Sequence, residues 1–191
     1  MVDYSVNFPE NRLEDLIYNI GDVKAESVCV PSGFVSELCK EHDNITACVG
    51  FPGSVMPEVK QFEASNALAC GAKNLDICVN VNRFINEDYD VMNRDFEALC
   101  VYTKIHKIKV TAFVPNKINT NLAEILCQKC IECGVDFLGM HYGSDVDLYL
   151  SLLKDSDVKL CLHGLVLKSD AEELLSKGVG RVITSWAKVC V

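Results

Sequence analysis

The chain lacks a basic footprint. It carries 18 lysines and arginines against 27 aspartates and glutamates, a formal net charge of −9. No excess positive charge is available to neutralise a phosphate backbone, so nucleic-acid binding is not expected. It lacks a long apolar run as well. Its hydrophobic stretches are short and broken by charge, which argues against a membrane-spanning helix. The opening Met1-Val2-Asp3-Tyr4 has no basic, apolar targeting character, and a cytoplasmic location is expected. No Gly-x-Gly-x-x-Gly follows any strand-like run, which weakens a dinucleotide-binding reading. The four histidines show neither HxH nor HExxH spacing, and no cofactor or metal is expected. No linker or low-complexity segment divides the chain, so residues 1–191 are expected to form a single domain.

What is present is an ordinary globular composition: 191 residues, 49% hydrophobic and 24% charged. The acidic balance leaves room for a small anionic substrate, because a local nest of backbone N–H groups can hold a phosphate. Eleven cysteines are many. A disulfide scaffold would be shorter and poorer in apolar residues, so reduced thiols are expected. Cys29 and Cys48 lie inside strand-like runs, where a free thiol behaves as a small hydrophobe. Cys127-x-x-Cys130-x-x-Cys133 has a spacing that also suits zinc or an iron–sulfur cluster. It falls on one helix whose apolar face includes Leu122 and Leu126, and small buried residues are the preferred reading.

The chain repeats one grammar: a β-branched run, a loop, an amphipathic stretch, then often glycine. Candidate strands are Val2–Ser5, Ser27–Val30, Ile45–Val49, Asn74–Val81, Ile108–Val114, Asp136–Met140, Val158–Leu162 and Arg181–Thr184. Between them, Met92, Phe96, Leu99 and Cys100 share a helical face, as do Leu122, Ile125, Leu126 and Cys133. Gly71, Gly134 and Gly178 each stand where a helix should close before a strand. Alternating strands and helices imply a parallel sheet. Eight such units predict a compact (β/α)8 TIM barrel, with an open doubly wound sheet as the competing architecture.

Six segments, in order, resemble the deoxyribose-phosphate aldolase family. They are Val2-Asp3-Tyr4-Ser5, Ser27-Val28-Cys29-Val30-Pro31, Cys48-Val49-Gly50-Phe51-Pro52-Gly53, the helix carrying Lys60, Glu63, Ala64, Gly71 and Ala72, then Asn74-Leu75-Asp76-Ile77-Cys78-Val79-Asn80, and Arg181-Val182-Ile183-Thr184-Ser185. A seventh, Gly134-Val135-Asp136-Phe137-Leu138-Gly139-Met140-His141-Tyr142-Gly143, is similar to the family's sixth strand but has glycine where the family has its Schiff-base lysine. The resemblance implies the barrel fold and a lyase ancestry.

The resemblance also implies what is missing. The family's retro-aldol reaction needs an amine of depressed pKa, a neighbouring cation and a carboxylate to move protons. Asp76 matches the carboxylate. Gly139 replaces the nucleophilic lysine, and Leu160 aligns with the second lysine. Lys159 is one residue away, and strand alternation predicts that it points out of the barrel. Of the phosphate site, Gly143, Gly164 and Ser185 remain, whereas Val166 and Trp186 depart from the family pattern. His141 and His163 are additions to that pattern at the ends of adjacent strands. They are candidates for an acid–base pair or metal ligands, alongside the plainer reading of space filling and loop capping. For Asp76 the plainer reading is a hydrogen-bond acceptor from Asn80 or a loop amide. The expectation is a divergent family member without lysine-imine activity that keeps a pocket for a sugar phosphate or aldehyde. The alternatives are an active aldolase using another lysine, among Lys60, Lys104, Lys107, Lys109 and Lys159, a metal-assisted enzyme using the two histidines, and a non-catalytic binding or scaffold protein. A homo-oligomer is possible under each.

Overall fold

The structure, a computed structural model, describes residues 2–5, 13–21, 23–86, 88–105, 109–113, 118–143, 145–164 and 167–184. Eight parallel strands close into a barrel in sequence order: β1 (Val2–Ser5), β2 (Val28–Pro31), β3 (Ile45–Val49), β4 (Asn74–Cys78), β5 (Lys109–Phe113), β6 (Phe137–His141), β7 (Lys159–Gly164) and β8 (Arg181–Thr184). Closure is direct, since β1 pairs with β8 through Val2↔Val182 and Asp3↔Ile183. The open-sheet alternative is thereby excluded. The helices α1 (Leu13–Gly21), α2 (Val35–Leu38), α3 (Pro57–Ala69), α4 (Val81–Ile85), α5 (Tyr89–Ile105), α6 (Thr120–Cys133), α7 (Val146–Leu153) and α8 (Lys168–Ser176) connect the strands. The single-turn α2 is part of how the fold fits into so short a chain. Among the described residues no helix is long and apolar enough to cross a membrane.

Local chemistry sets the boundaries. Helix α6 starts where the Asn119 side chain accepts from the Leu122 N–H at 2.9 Å, and Asp145 caps α7 in the same way. Helix α6 ends at Gly134, whose φ of 65° is the left-handed position expected of a closing glycine. The expected strand Asn74–Val81 stops at Cys78, because Asn80 turns the chain and accepts from the Arg83 N–H, opening α4.

Strand alternation sorts side chains into two layers. Val28, Val30, Ile45, Ala47, Leu75, Ile77, Ala112, Leu138, Met140, Leu160, Leu162 and Val182 pack outward against Leu16, Ile20, Leu38, Phe96, Leu126 and Leu174 of the helices. The inner layer is polar and sulfur-rich. It includes Asp3, Cys29, Thr46, Cys48, Asp76, Cys78, Thr111, Cys161 and Arg181, all buried, with Phe137 and Ile183 packed on Cys161.

One pair overturns the expectation of reduced thiols. Cys100 on α5 and Cys133 on α6 are joined in a disulfide, with Cα atoms 4.8 Å apart. The two helices pack closely enough to bring these positions within disulfide reach. The remaining described cysteines are in no disulfide, and Cys127 and Cys130 are buried in the outer core as expected.

Candidate functional site

The N-terminal end of the barrel interior is built around Arg181. Its Nε donates to Asp3 Oδ2. Its Nη1 donates to Asp76 Oδ1 at 2.7 Å and to Thr111 Oγ1 at 2.9 Å, and Nη2 reaches Asp76 Oδ2 at 3.4 Å. The guanidinium also lies 5.6 Å from the centroid of the Phe137 ring. Asp3 Oδ1 accepts from the Ser27 N–H at 3.0 Å, and Ser27 shares a hydrogen bond with Thr46. Burial opposes the charge on Arg181, but the carboxylates of Asp76 and Asp3 outweigh it and hold the guanidinium well above the usual arginine range. Burial raises the Asp3 carboxyl, and Arg181 pulls it part of the way back. A small pocket at this end is lined by Asn44, Asn74 and Phe137 together with Asp3, Ser27, Thr46 and Arg181 of the network.

The partner of Asp76 is therefore neither Asn80 nor a loop amide. The Asn80 N–H donates instead to Asp95, which forms a buried ion pair with Lys60 at 2.8 Å. Sequence reading treated Arg181 only as part of a closing motif. The missed signal was two carboxylates, Asp3 and Asp76, each between apolar neighbours inside a strand, and an arginine, Arg181, opening the apolar strand β8. In a barrel, such charges must pair with one another.

Above the ion-pair network, Cys29, Cys48 and Cys78 from β2, β3 and β4 form a cluster of thiols. Hydrogen bonds from Cys29 and Cys78, together with burial, raise the Cys48 thiol well above its usual range. Burial likewise raises Cys161. Cys48 and Cys161 are therefore protonated at neutral pH. Among the described residues no group of three or more His, Cys, Asp or Glu side chains is arranged to hold a metal ion.

The C-terminal mouth carries the two histidines. His141 closes β6 and His163 lies beside it on β7 as its register partner. Their rings meet edge to face with centroids 4.6 Å apart. His141 is exposed and His163 half-buried. Burial first, then the neighbouring His141, lowers the His163 pKa to about 4, against the pull of Asp76 below. Gly164, at φ 138°, sits under the His141 ring, where an added Cβ would lie 3.1 Å from Cε1. Gly143 is exposed at φ 100°, and the Tyr142 hydroxyl donates to Asp170 at 3.3 Å. Ser185, Trp186 and Val166 lie outside the described residues.

Gly139 shares the inner face of β6 with Phe137 and His141, and its register partner on β7 is Cys161. Leu160 does not face the interior as the alignment implied. It packs in the outer layer, and Cys161 and His163 are the inward residues of β7. Lys159 belongs to the inward-facing set by alternation, contrary to expectation. It is nevertheless exposed at the N-terminal rim against Gly180, at the opposite end from the histidines. Lys60 is buried in its ion pair, and Lys104 is exposed on α5. Lys109 opens β5, where its backbone pairs with Asn74, and Lys107 lies outside the described residues.

No family model matches the chain. A deoxyribose-phosphate aldolase of Clostridioides difficile is 30% identical over 179 residues, covering 86% of this chain and 80% of that protein. The chain belongs to the deoxyribose-phosphate aldolase family. A second aldolase of that name, from Clostridium novyi, is 29% identical and covers 95% of this chain and 89% of its own length. Among solved structures, one described as "QR15, an Aldolase" superposes with a TM-score of 0.86 at 23% identity, covering 99% of this chain and 91% of that one. The Aeropyrum pernix deoxyribose phosphate aldolase, described as having a unique tetrameric structure, superposes at 0.83 with 18% identity, covering 99% of this chain and 87% of that one.

Proposed function

We propose that this chain is a divergent deoxyribose-phosphate aldolase-like protein without lysine-imine retro-aldol chemistry. It keeps a pocket for a small aldehyde or sugar phosphate at the C-terminal barrel face, bounded among the described residues by His141, His163, Gly143 and Gly164 above Asp76. The observation that carries this reading is the inner face of β6 and β7. The paired positions there are Gly139 and Cys161, so neither supplies an amine. Asp76 is bound on both oxygens by Arg181, so it is poorly placed to shuttle protons.

A relocated lysine is the competing reading. Lys159 stands at the wrong end of the barrel, and Lys60 is consumed by Asp95. The test is intact-mass spectrometry after incubation with deoxyribose 5-phosphate or acetaldehyde and borohydride, with an authentic aldolase labelled in parallel. No reduced adduct is expected. A stoichiometric adduct mapped to one lysine would overturn the proposal. If saturation-transfer NMR also finds no binding of either compound, a non-catalytic binding or scaffold role replaces it. Homo-oligomerisation is part of the proposal and is read directly by sedimentation.

A further inference from the structure

We propose that Cys100 and Cys133 form a reversible thiol–disulfide couple, opened by a small thiol that attacks the Cys100 sulfur, in a fold that accommodates both states. The couple sits between two outer helices and is independent of what the barrel mouth binds. Cys100 lies on α5 and Cys133 is the last residue of α6, with Cα atoms 4.8 Å apart. Two features suit the pair to the reduced state as well as the oxidised one. The Cys133 sulfur lies 3.2 Å from the Phe96 carbonyl oxygen. In the disulfide that sulfur has no hydrogen to offer. As a thiol it can donate there, so reduction finds an acceptor already in place. The helices also share a link that does not involve sulfur. The Thr103 hydroxyl, one turn beyond Cys100, reaches the Cys133 carbonyl at 2.8 Å and the Cys100 carbonyl at 3.1 Å. Breaking the S–S bond therefore leaves α5 and α6 joined, with the two sulfurs close enough to bond again.

The two cysteines differ in access, and this sets their roles. Cys100 is half-buried, whereas Cys133 is buried. An incoming thiolate therefore meets Cys100, and Cys133 is the leaving group. The other thiols of α6 do not compete for the bond. Cys130, one turn before Cys133, and Cys127 are both buried. Burial raises both thiols, Cys127 to about 12. They stay protonated at neutral pH, so the disulfide is not passed along the helix.

In the opening step the thiolate of a small monothiol bonds to the Cys100 sulfur. The Cys100–Cys133 S–S bond breaks, and its electron pair leaves on the Cys133 sulfur, which takes a proton and donates it toward the Phe96 carbonyl. A second small thiolate then bonds to the sulfur that the first one brought. The mixed disulfide breaks, and Cys100 leaves as a thiolate that is protonated in turn. Both protons come from the two small thiols. Those thiols are oxidised to one small disulfide, and the protein disulfide is reduced to two thiols. A small disulfide runs the same steps in reverse, with Cys100 taking the mixed disulfide and Cys133 resolving it.

The experiment uses the whole chain in mixtures of reduced and oxidised glutathione, started once from the oxidised and once from the reduced protein. Samples are quenched in acid, alkylated and mapped by mass spectrometry, and aromatic near-UV circular dichroism is recorded for both end states. The expected result is one equilibrium reached from both sides, with the label changing at Cys100 and Cys133 and the aromatic signal kept. Cys133→Ala, treated with oxidised glutathione, should accumulate the mixed disulfide on Cys100. Cys100→Ala should accumulate none on Cys133. Reduction that occurs only after urea has unfolded the chain would overturn the couple. So would a reduced chain that loses its aromatic signal or fails to reoxidise, or an adduct on Cys133. If an alanine variant loses its own aromatic signal, the two-sided equilibrium of the unaltered chain decides.

Discussion

The two ends of this barrel treat their polar groups in opposite ways. At the N-terminal end Arg181, Asp3, Asp76, Thr111, Ser27 and Thr46 are all buried and share one hydrogen-bonded network, which the Ser27–Thr46 pair joins through the Ser27 backbone N–H. At the C-terminal end the His141 and His163 rings meet edge to face, with Gly164 beneath the His141 ring, and are open to solvent to different degrees. Barrel enzymes place stability at the first end and chemistry at the second. Here that division has moved a residue across the boundary. Asp76 matches the family's catalytic aspartate, yet in this chain it works as a counter-ion of the stability network. The two imidazoles at the other end are additions that the family pattern does not contain.

The sharpest way to break the comparison is to remove the cation. Arg181→Met would leave two buried carboxylates without their shared partner. Losing one member of a buried ion pair costs about 3–5 kcal/mol, because the remaining charges stay desolvated. Urea denaturation should show a loss of that size. Adding Asp3→Asn and Asp76→Asn should return a substantial part of it, since the unpaired charge then disappears. If the single variant is nearly neutral, the network is not what holds this end of the barrel. The Cys100–Cys133 disulfide supplies a control outside both ends. Reducing it, or replacing both cysteines by serine, frees a loop of 33 residues in the unfolded chain and should cost about 2–4 kcal/mol. The imidazole chemical shifts at the mouth should not change.

The mouth responds to pH in the opposite direction from a stabilised histidine. The folded pKa of His163 is about 4, below the value of about 6.5 for a free imidazole. Between these two values the unfolded chain binds the extra proton and the folded chain does not. His163 therefore subtracts nothing above pH 6.5 and destabilises progressively as pH falls toward 4. The penalty is about 2–3 kcal/mol after allowing for partial exposure. Asp3 and Asp95, both raised by burial, act with the opposite sign in acid. The clean measurement is thus the difference in unfolding free energy between the parent and His163→Phe from pH 7 to 4. The slope should flatten in the variant. An unchanged slope would mean that His163 titrates normally and is not held neutral.

The fold was legible because period-two strands, closing glycines and the order of the family motifs all agreed. The strand boundaries moved by only a residue or two, except at β4, where Asn80 ends the run early. The site was legible in its parts but not in its pairing. Aligning Leu160 with the family's second lysine placed it on the inner face, whereas the register Gly139↔Cys161 places Cys161 there. A one-residue change in loop length is invisible without a three-dimensional register, and it reverses every inward and outward assignment on the strand. The Arg181 pairing was missed for a related reason. Asp3 and Arg181 stand 178 positions apart and meet only because the barrel closes β8 onto β1.

Gly164→Ala gives the smallest expected effect on stability and the most selective test of the comparison. The new methyl group must adopt φ 138° and would meet the His141 ring at 3.1 Å and the Tyr142 Cβ at 3.4 Å. The cost should be about 1–2 kcal/mol from backbone strain and the shifted ring. The His141 ring, which is exposed, can yield where the backbone cannot, so the imidazole contact should open. Chemical shifts of the two imidazoles should therefore change, while the Arg181 network at the far end stays intact. A stability loss as large as that of Arg181→Met would mean the two ends are energetically coupled. Unchanged imidazole shifts would mean that His141 is not seated on Gly164.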